Sequence, residues 1–274
     1  MNSSPRRVPR AGNSEHGSVE PGAESHITGA SSGIGRALAV EYARRGAVLG
    51  LIARRVDVIE KLAAALPARS YSYQADVRDA AALAHAARDF ISRAGCPDIV
   101  MANAGVSAGT LTPEVDDNKV FEEILATNLT GMMLTFQPFI EAMRARRQGV
   151  LVGIASVAGF RGLPGAAAYS ASKAGAISYL ESLRVELSGS GVSVVTLCPG
   201  YIATPLTAKN PYSMPFLMKA DVAAGKMAQA IAARKRFYVL PWQMALVGWM
   251  LRCLPRPLYD LLFAYAPQKP RRTQ

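Results

Sequence analysis

The chain has little cysteine, little histidine and no long apolar run, and each shortage removes a class of function. Cys96, Cys198 and Cys253 are its three cysteines. They lie far apart, with no CxxC pair and no histidine at a spacing suited to zinc. This argues for reduced thiols in a reducing compartment, the cytoplasm, and against a disulfide framework or a structural metal. His16, His26 and His85 are the three histidines, and each is expected to be incidental and not a ligand. Residues 1–24 carry no apolar period and lack the apolar core of a secretory signal. They are expected to form a disordered leader. No stretch reaches the ~18–20 apolar residues that span a bilayer, and no internal repeat of roughly 20–50 residues is visible.

Acid is also scarce: 31 Lys and Arg face 20 Asp and Glu, for a net charge of +11. Residues 234–274 hold eight of the cations against the single acid Asp260, a net +7. The remaining +4 is ordinary for a soluble enzyme. Without a basic face across the domain, a nucleic-acid partner is not expected.

What is present is a long globular chain. Half of its 274 residues are apolar and 19% are charged, enough for one domain that buries roughly 70–75% of its unfolded surface. From residue 25 to about 241, short apolar runs alternate with helical patterns. The runs at 47–53, 99–102, 150–155 and 192–197 suit buried parallel strands. Helical patterns cover 34–45, 57–66, 80–94, a long stretch near 120–146, and 171–188. This alternation predicts a single doubly wound, Rossmann-type α/β domain over 25–241, with a mostly parallel sheet flanked by helices.

Tyr169 and Lys173 lie four apart in Tyr-Ser-Ala-Ser-Lys, with Ser156 upstream. On a helix that spacing places the phenol and the ammonium on one face. A phenol near pKa ~10 is a poor acid or base at neutral pH, and a fixed cation beside it lowers that value. The pair reads as a tuned general acid/base, with the Ser156 hydroxyl free to hold the oxygen of a reacting carbonyl. For the pair alone, an ordinary surface Tyr and Lys is the competing reading.

The segment 28–35 reads Thr-Gly-Ala-Ser-Ser-Gly-Ile-Gly. Its glycines allow a sharp turn and close approach of a pyrophosphate to a helix N-terminus, although a plain strand–helix turn would look the same. Past the second strand stand Arg54 and Arg55, where an NAD enzyme places an acid for the ribose hydroxyl. Two guanidinium groups there suit a 2′-phosphate. Solvated arginines are the alternative, disfavoured because cations at a helix start oppose the dipole.

Taken in order, these segments resemble the short-chain dehydrogenase/reductase family, NADP-preferring type, across about residues 26–235. The glycine turn (Gly29, Ser31, Ser32, Gly33, Ile34, Gly35) matches the family's first motif. Asp76-Val77 matches its adenine contact, and Asn103-Ala104-Gly105 its Asn-Ala-Gly motif. Asn128 falls at its catalytic asparagine, Ser156, Tyr169 and Lys173 match its catalytic trio, and Pro199-Gly200 with Ile202 and Thr204 matches its nicotinamide turn. The resemblance implies that Tyr169 exchanges the proton, Lys173 lowers the tyrosine's pKa and bonds the nicotinamide ribose, Ser156 orients the substrate oxygen, and Asn128 supports a relaying water. NADP(H) is the cofactor so implied, ahead of NAD(H). The expected reaction interconverts a carbonyl and a secondary alcohol, and a homodimer or homotetramer is expected. A cofactor-binding regulator or a membrane-associated interaction protein with little turnover is the alternative.

Two departures from the family stand out. The residues before the glycine turn are Gly-Ala-Glu-Ser-His-Ile. Among them only Ile27 is a good strand former, and Glu24 would be costly if buried. Either the first strand is short and strained or residues 1–25 are not the natural leader; low stability and poor cofactor affinity follow. The second departure is the extension 242–274, apolar at 242–254 and 258–266 and basic overall. It reads as a helical pair packed on the domain or a dimer interface, as a peripheral membrane contact through Trp242 and Trp249, or as a lid over the substrate. Residues 214–218, Met-Pro-Phe-Leu-Met, fall at the family's substrate loop, which favours an apolar small-molecule carbonyl or alcohol.

Overall fold

A computed structural model describes residues 22–272. The leader expected over 1–24 lies outside the described residues except for Gly22–Glu24, which already belong to the fold. Ala23 is buried, and the Glu24 carbonyl accepts from the Asp98 and Ile99 amides at 2.9 and 3.1 Å. The expected burial cost at Glu24 is moderate, because this residue is half-buried.

Seven parallel strands form one sheet: β1 Ser25–Thr28, β2 Leu49–Ala53, β3 Ser70–Gln74, β4 Ile99–Ala102, β5 Gly149–Ile154, β6 Val192–Pro199 and β9 Phe237–Leu240, in the order β3-β2-β1-β4-β5-β6-β9. The short strands β7 Ile202–Ala203 and β8 Met218–Lys219 pair separately. Strands β2, β4 and β5 are buried at every position, which explains their continuous apolar runs. By contrast β3, Ser-Tyr-Ser-Tyr-Gln, is a partly exposed edge strand, so no apolar run announces it.

Helices cover both faces. On one, α1 Gly33–Arg44, α2 Val56–Ala65 and α7 Ala220–Ala232 bury Leu38, Ile59, Met227 and Ile231. On the other, α3 Ala80–Ala94, α5 Gly131–Ala145 and α6 Ala167–Glu186 bury Phe90, Phe136, Phe139 and Leu180. The long helix expected near 120–146 is two helices, α4 Asn118–Leu125 and α5, joined by a π-helical turn at Ala126–Thr130. One extra residue per turn there shifts the helix register.

Strand β1 is short, four residues, yet central and wholly buried. His26 lies in it, 1% exposed, packed against Phe139 (ring centroids 4.7 Å apart) and edge-on to Phe90 at 5.6 Å. Neither ring nitrogen has a hydrogen-bond partner. Its neighbour across the ladder is Gly50, where a Cβ would stand 2.7 Å from the imidazole. The glycine inside β2 makes room for the ring, and His26 is thus a packed core residue.

The C-terminal residues form α8 Trp242–Cys253 and α9 Arg256–Phe263. Both dock on the loop after β5: Gly248 of α8 meets the Phe160 ring, and Arg161 donates to the carbonyls of Leu251 (2.9 Å) and Leu254 (3.0 Å) while stacking on the Tyr259 ring. The Tyr259 hydroxyl donates to the Gly162 carbonyl. No helix among the described residues is long and apolar enough to cross a membrane.

Candidate active site

Between β1 and β4 the strand order reverses, and the carboxyl ends of those strands open a crevice, the place where this architecture binds ligands. The chain stitches this point together through Thr28. Its hydroxyl accepts from the amides of Asn103 (3.1 Å) and Ala104 (3.3 Å), and the Asn103 side chain donates back to the Thr28 carbonyl at 2.9 Å. Thr28 was not singled out as a functional residue from the sequence; its signal is a hydroxyl directly before the glycine turn.

The turn needs glycine for two reasons. Gly29 and Gly33 have φ of +68° and +56°, which side chains with a Cβ rarely adopt. A Cβ on Gly35 would stand 2.4 Å from the Gly29 carbonyl oxygen. Ser32 is the N-cap of α1, but its side chain caps nothing. The first-turn amides of α1 therefore face the cleft as a ready anion site.

The cleft has a volume of about 320 Å³. Lining it are Gly29, Ser31, Ser32, Gly33 and Ile34 of the turn, Arg54 and Arg55, Asp76 and Val77, Asn103, Ala104 and Gly105, Ser156, Tyr169 and Lys173, and Pro199, Gly200, Ile202 and Thr204. The structure thus brings together all the residues expected from the sequence except Gly35 and Asn128. Gly35 is packed behind the turn. Asn128 sits buried in the π-helical turn, where its side chain accepts from the Val106 amide at 2.8 Å and donates to the Val106 carbonyl and to Ser172 Oγ, both at 3.0 Å. Its amide is fully engaged in clamping the loop after β4. The structure adds Thr127, Ile154, Pro205, Leu206 and Thr207 to the lining.

At one end of the cleft Arg55 donates to Ser31 Oγ at 3.1 Å, while Arg54, 60% exposed, stands 4.0 Å from Asp76. Arg78, absent from the sequence-based set, holds the Asp76 carboxylate at 2.6 and 3.0 Å. These bonds, ahead of all other influences, keep the carboxyl below its usual range.

At the other end, α6 carries Tyr169 and Lys173 one turn apart, as the spacing predicts. Ser156 caps the short helix after β5 through the Ala158 amide at 3.1 Å. The Lys173 ammonium lies 5.9 Å from the centre of the Tyr169 ring and donates to the Ile154 carbonyl at 2.7 Å. Burial brings the lysine pKa down to about 8. Burial also pushes the Tyr169 phenol up, with the Ser156 hydroxyl pulling weakly the other way. The net direction for the phenol is thus upward, with desolvation the larger cause.

The glycine turn and the α1 amides fit the pyrophosphate of a dinucleotide along the cleft, and the fold with this site defines a nucleotide-dependent oxidoreductase. The short chain dehydrogenase family model matches residues 25–214. An uncharacterized oxidoreductase of Myxococcus xanthus is 41% identical over 237 residues, covering 85% of this chain and 93% of that protein. A 2-dehydro-3-deoxy-L-rhamnonate dehydrogenase (NAD(+)) of Sphingomonas is 32% identical, covering 73% and 80%. Among solved structures, an alcohol dehydrogenase from Thermococcus sibiricus complexed with 5-hydroxy-NADP has a TM-score of 0.71 at 26% identity, covering 80% of this chain and 95% of that one. The chain belongs to the short-chain dehydrogenase/reductase family.

Proposed function

We propose that this protein is an NADP(H)-dependent carbonyl reductase or alcohol dehydrogenase with Tyr169 as its acid/base. The observation that carries the reading is the convergence of Ser156, Tyr169 and Lys173 at one end of a cleft whose other end holds Arg54 and Arg55. The nicotinamide supplies or takes up hydride when bound. Everything else falls to the chain. Ser156 Oγ holds the substrate oxygen, and the Tyr169 hydroxyl donates its proton there in reduction, while its phenolate form takes the proton up in oxidation. Burial keeps the phenol protonated at neutral pH, which suits it to donate. Lys173 places a positive charge behind the ring and, with the Ile154 carbonyl as anchor, presents its remaining N–H groups to the ribose. Asn128 holds the Val106 segment in place from the π-helical turn.

For the cofactor, relatives are named for both nicotinamide forms, so the argument rests on residues. Arg55 is pinned to Ser31 beside the turn, and the Asp76 carboxylate near Arg54 is engaged by Arg78. A 2′-phosphate between Arg54 and Arg55 would gain charge-assisted hydrogen bonds worth ~1.5–3 kcal/mol each. The test is a ketone and alcohol panel run with NADPH and NADH. NADPH should be favoured by roughly tenfold or more in kcat/KM, and the Arg54→Gln/Arg55→Gln double variant should lose most of that preference. Equal or better rates with NADH would overturn the assignment.

A further inference from the structure

After α9 the chain turns back, and residues 264–272 lie against the loop after β4 and the loop before α6. The Gly109 amide donates to the Pro270 carbonyl at 2.8 Å, and Gly109 forms an isolated parallel bridge with Arg271. Gln268 packs against Gly165 in the loop before α6. This strap is fastened by charge: Arg271 pairs with Asp117 at 2.9 Å and Glu114 at 3.0 Å, and Arg272 with Glu123 at 2.6 Å. Its third cation behaves differently. The half-buried Lys269 points inward, its Nζ 2.8 Å from Ser107 Oγ and 5.6 Å from the centre of the Tyr169 ring. It makes no ion pair among the described residues. Two ammonium groups, Lys173 at 5.9 Å and Lys269 at 5.6 Å, thus lie near the tyrosine ring, and neither makes an ion pair among the described residues.

We propose that the strap closes the substrate side of the site and that Lys269, with Ser107, receives a carboxylate of the substrate a few bonds from the reacting carbonyl. Removing an ammonium from water without a counter-ion is unfavourable, and burial lowers this one to about 8. Ser107 takes one of its three N–H groups, leaving donors for an anion, and the serine hydroxyl can turn to donate as well. The strap explains why the cation is there: two arginines hold the backbone in place so that the lysine between Gln268 and Pro270 projects inward. A carbonyl compound with one anionic end is the substrate class this describes.

The inference rests on the reductase reading, and the test separates the two. Pyruvate, acetoacetate and levulinate are compared with their methyl esters by NADPH oxidation. At least one acid should exceed its ester by roughly tenfold in kcat/KM. Lys269→Met should reduce that acid-to-ester ratio by roughly tenfold or more, and Lys269→Arg should retain most of it. Lys269→Gln serves as the neutral variant if Lys269→Met melts below the wild type. Esters reduced as well as acids by the wild type, or a ratio unchanged in the neutral variants, would overturn the proposal. If no carbonyl is turned over, the reductase reading fails alone. Titration of the NADPH-loaded protein with the same acids then decides: binding roughly tenfold tighter to wild type than to Lys269→Met supports the site, and equal binding overturns it.

Discussion

At the scale of single residues, the Tyr169 hydroxyl is the group whose removal should separate binding from chemistry. Tyr169→Phe keeps the ring that packs beside both ammonium groups and deletes only the hydroxyl. Cofactor affinity, read by fluorescence titration, should stay within a few-fold, while turnover should fall by ~10²–10⁴. Activity within tenfold of the parent would refute the acid/base role. The residues of this machinery are legible in the sequence because each has a local cause: glycines where φ is positive, a phenol and an amine one helical turn apart, a serine at the end of a buried strand. Arg78, Ser107 and Lys269 are not legible. Each acts on a partner distant in sequence, except Arg78, whose contact with Asp76 is local but looks like any solvated pair.

At the scale of elements, β1 is the weak member of the sheet. It pairs with β2 and β4 along its length, so its backbone is satisfied, while the His26 imidazole in its middle is not. Burial lowers that group from its ordinary 6.5 to about 3. Between those values the unfolded chain holds one proton more than the folded one. Stability contributed by the neutral, buried ring is therefore complete above pH 6.5 and lost as pH falls towards 3, by up to ~1.4 kcal/mol per pH unit. His26→Leu should raise the melting temperature at pH 7.5 by roughly 2–10 °C, by removing ~1–3 kcal/mol of unsatisfied polarity. It should also flatten the decline of melting temperature between pH 7 and 5; a variant with the wild-type slope would count against this account. The elements themselves read well where burial dominates. Ala80–Ala94 and Ile99–Ala102 match their predicted bounds at both ends. Strand β3 and helix α7 escaped, the first because an edge strand needs no apolar run, the second because its Ala-rich face shows little period. The π-helical turn at Ala126–Thr130 is set by how α4 and α5 must each pack, which a local pattern does not record.

For the molecule as a whole, a central strand carrying an unsatisfied histidine argues for modest stability. Without cofactor the protein should melt below ~65 °C, in the ordinary range for such domains, and calorimetry or circular dichroism will measure it. The sequence supports the doubly wound architecture because strand–helix alternation is a global regularity. It left open the use of the last thirty or so residues. Helices α8 and α9 proved to be docked on the loop after β5, which favours the packed-pair and lid readings, and the basic excess of this region goes partly into holding the strap against acids of the loop and helix α4 region.

That fastening makes the site sensitive to ionic strength. The Arg271–Glu114 pair is well exposed and the Arg272–Glu123 pair partly so, and salt weakens such exposed pairs as the screening length falls from ~10 Å at ~0.1 M towards ~3 Å at ~1 M. Arg271–Asp117 is shielded on its acid side and should hold longest. Added salt would first loosen the outer fastening, speeding entry and exit, and would weaken the attraction of Lys269 for a charged substrate at the same time. The two effects oppose one another in turnover and reinforce one another in the Michaelis constant, so salt should raise KM more steeply than it changes kcat.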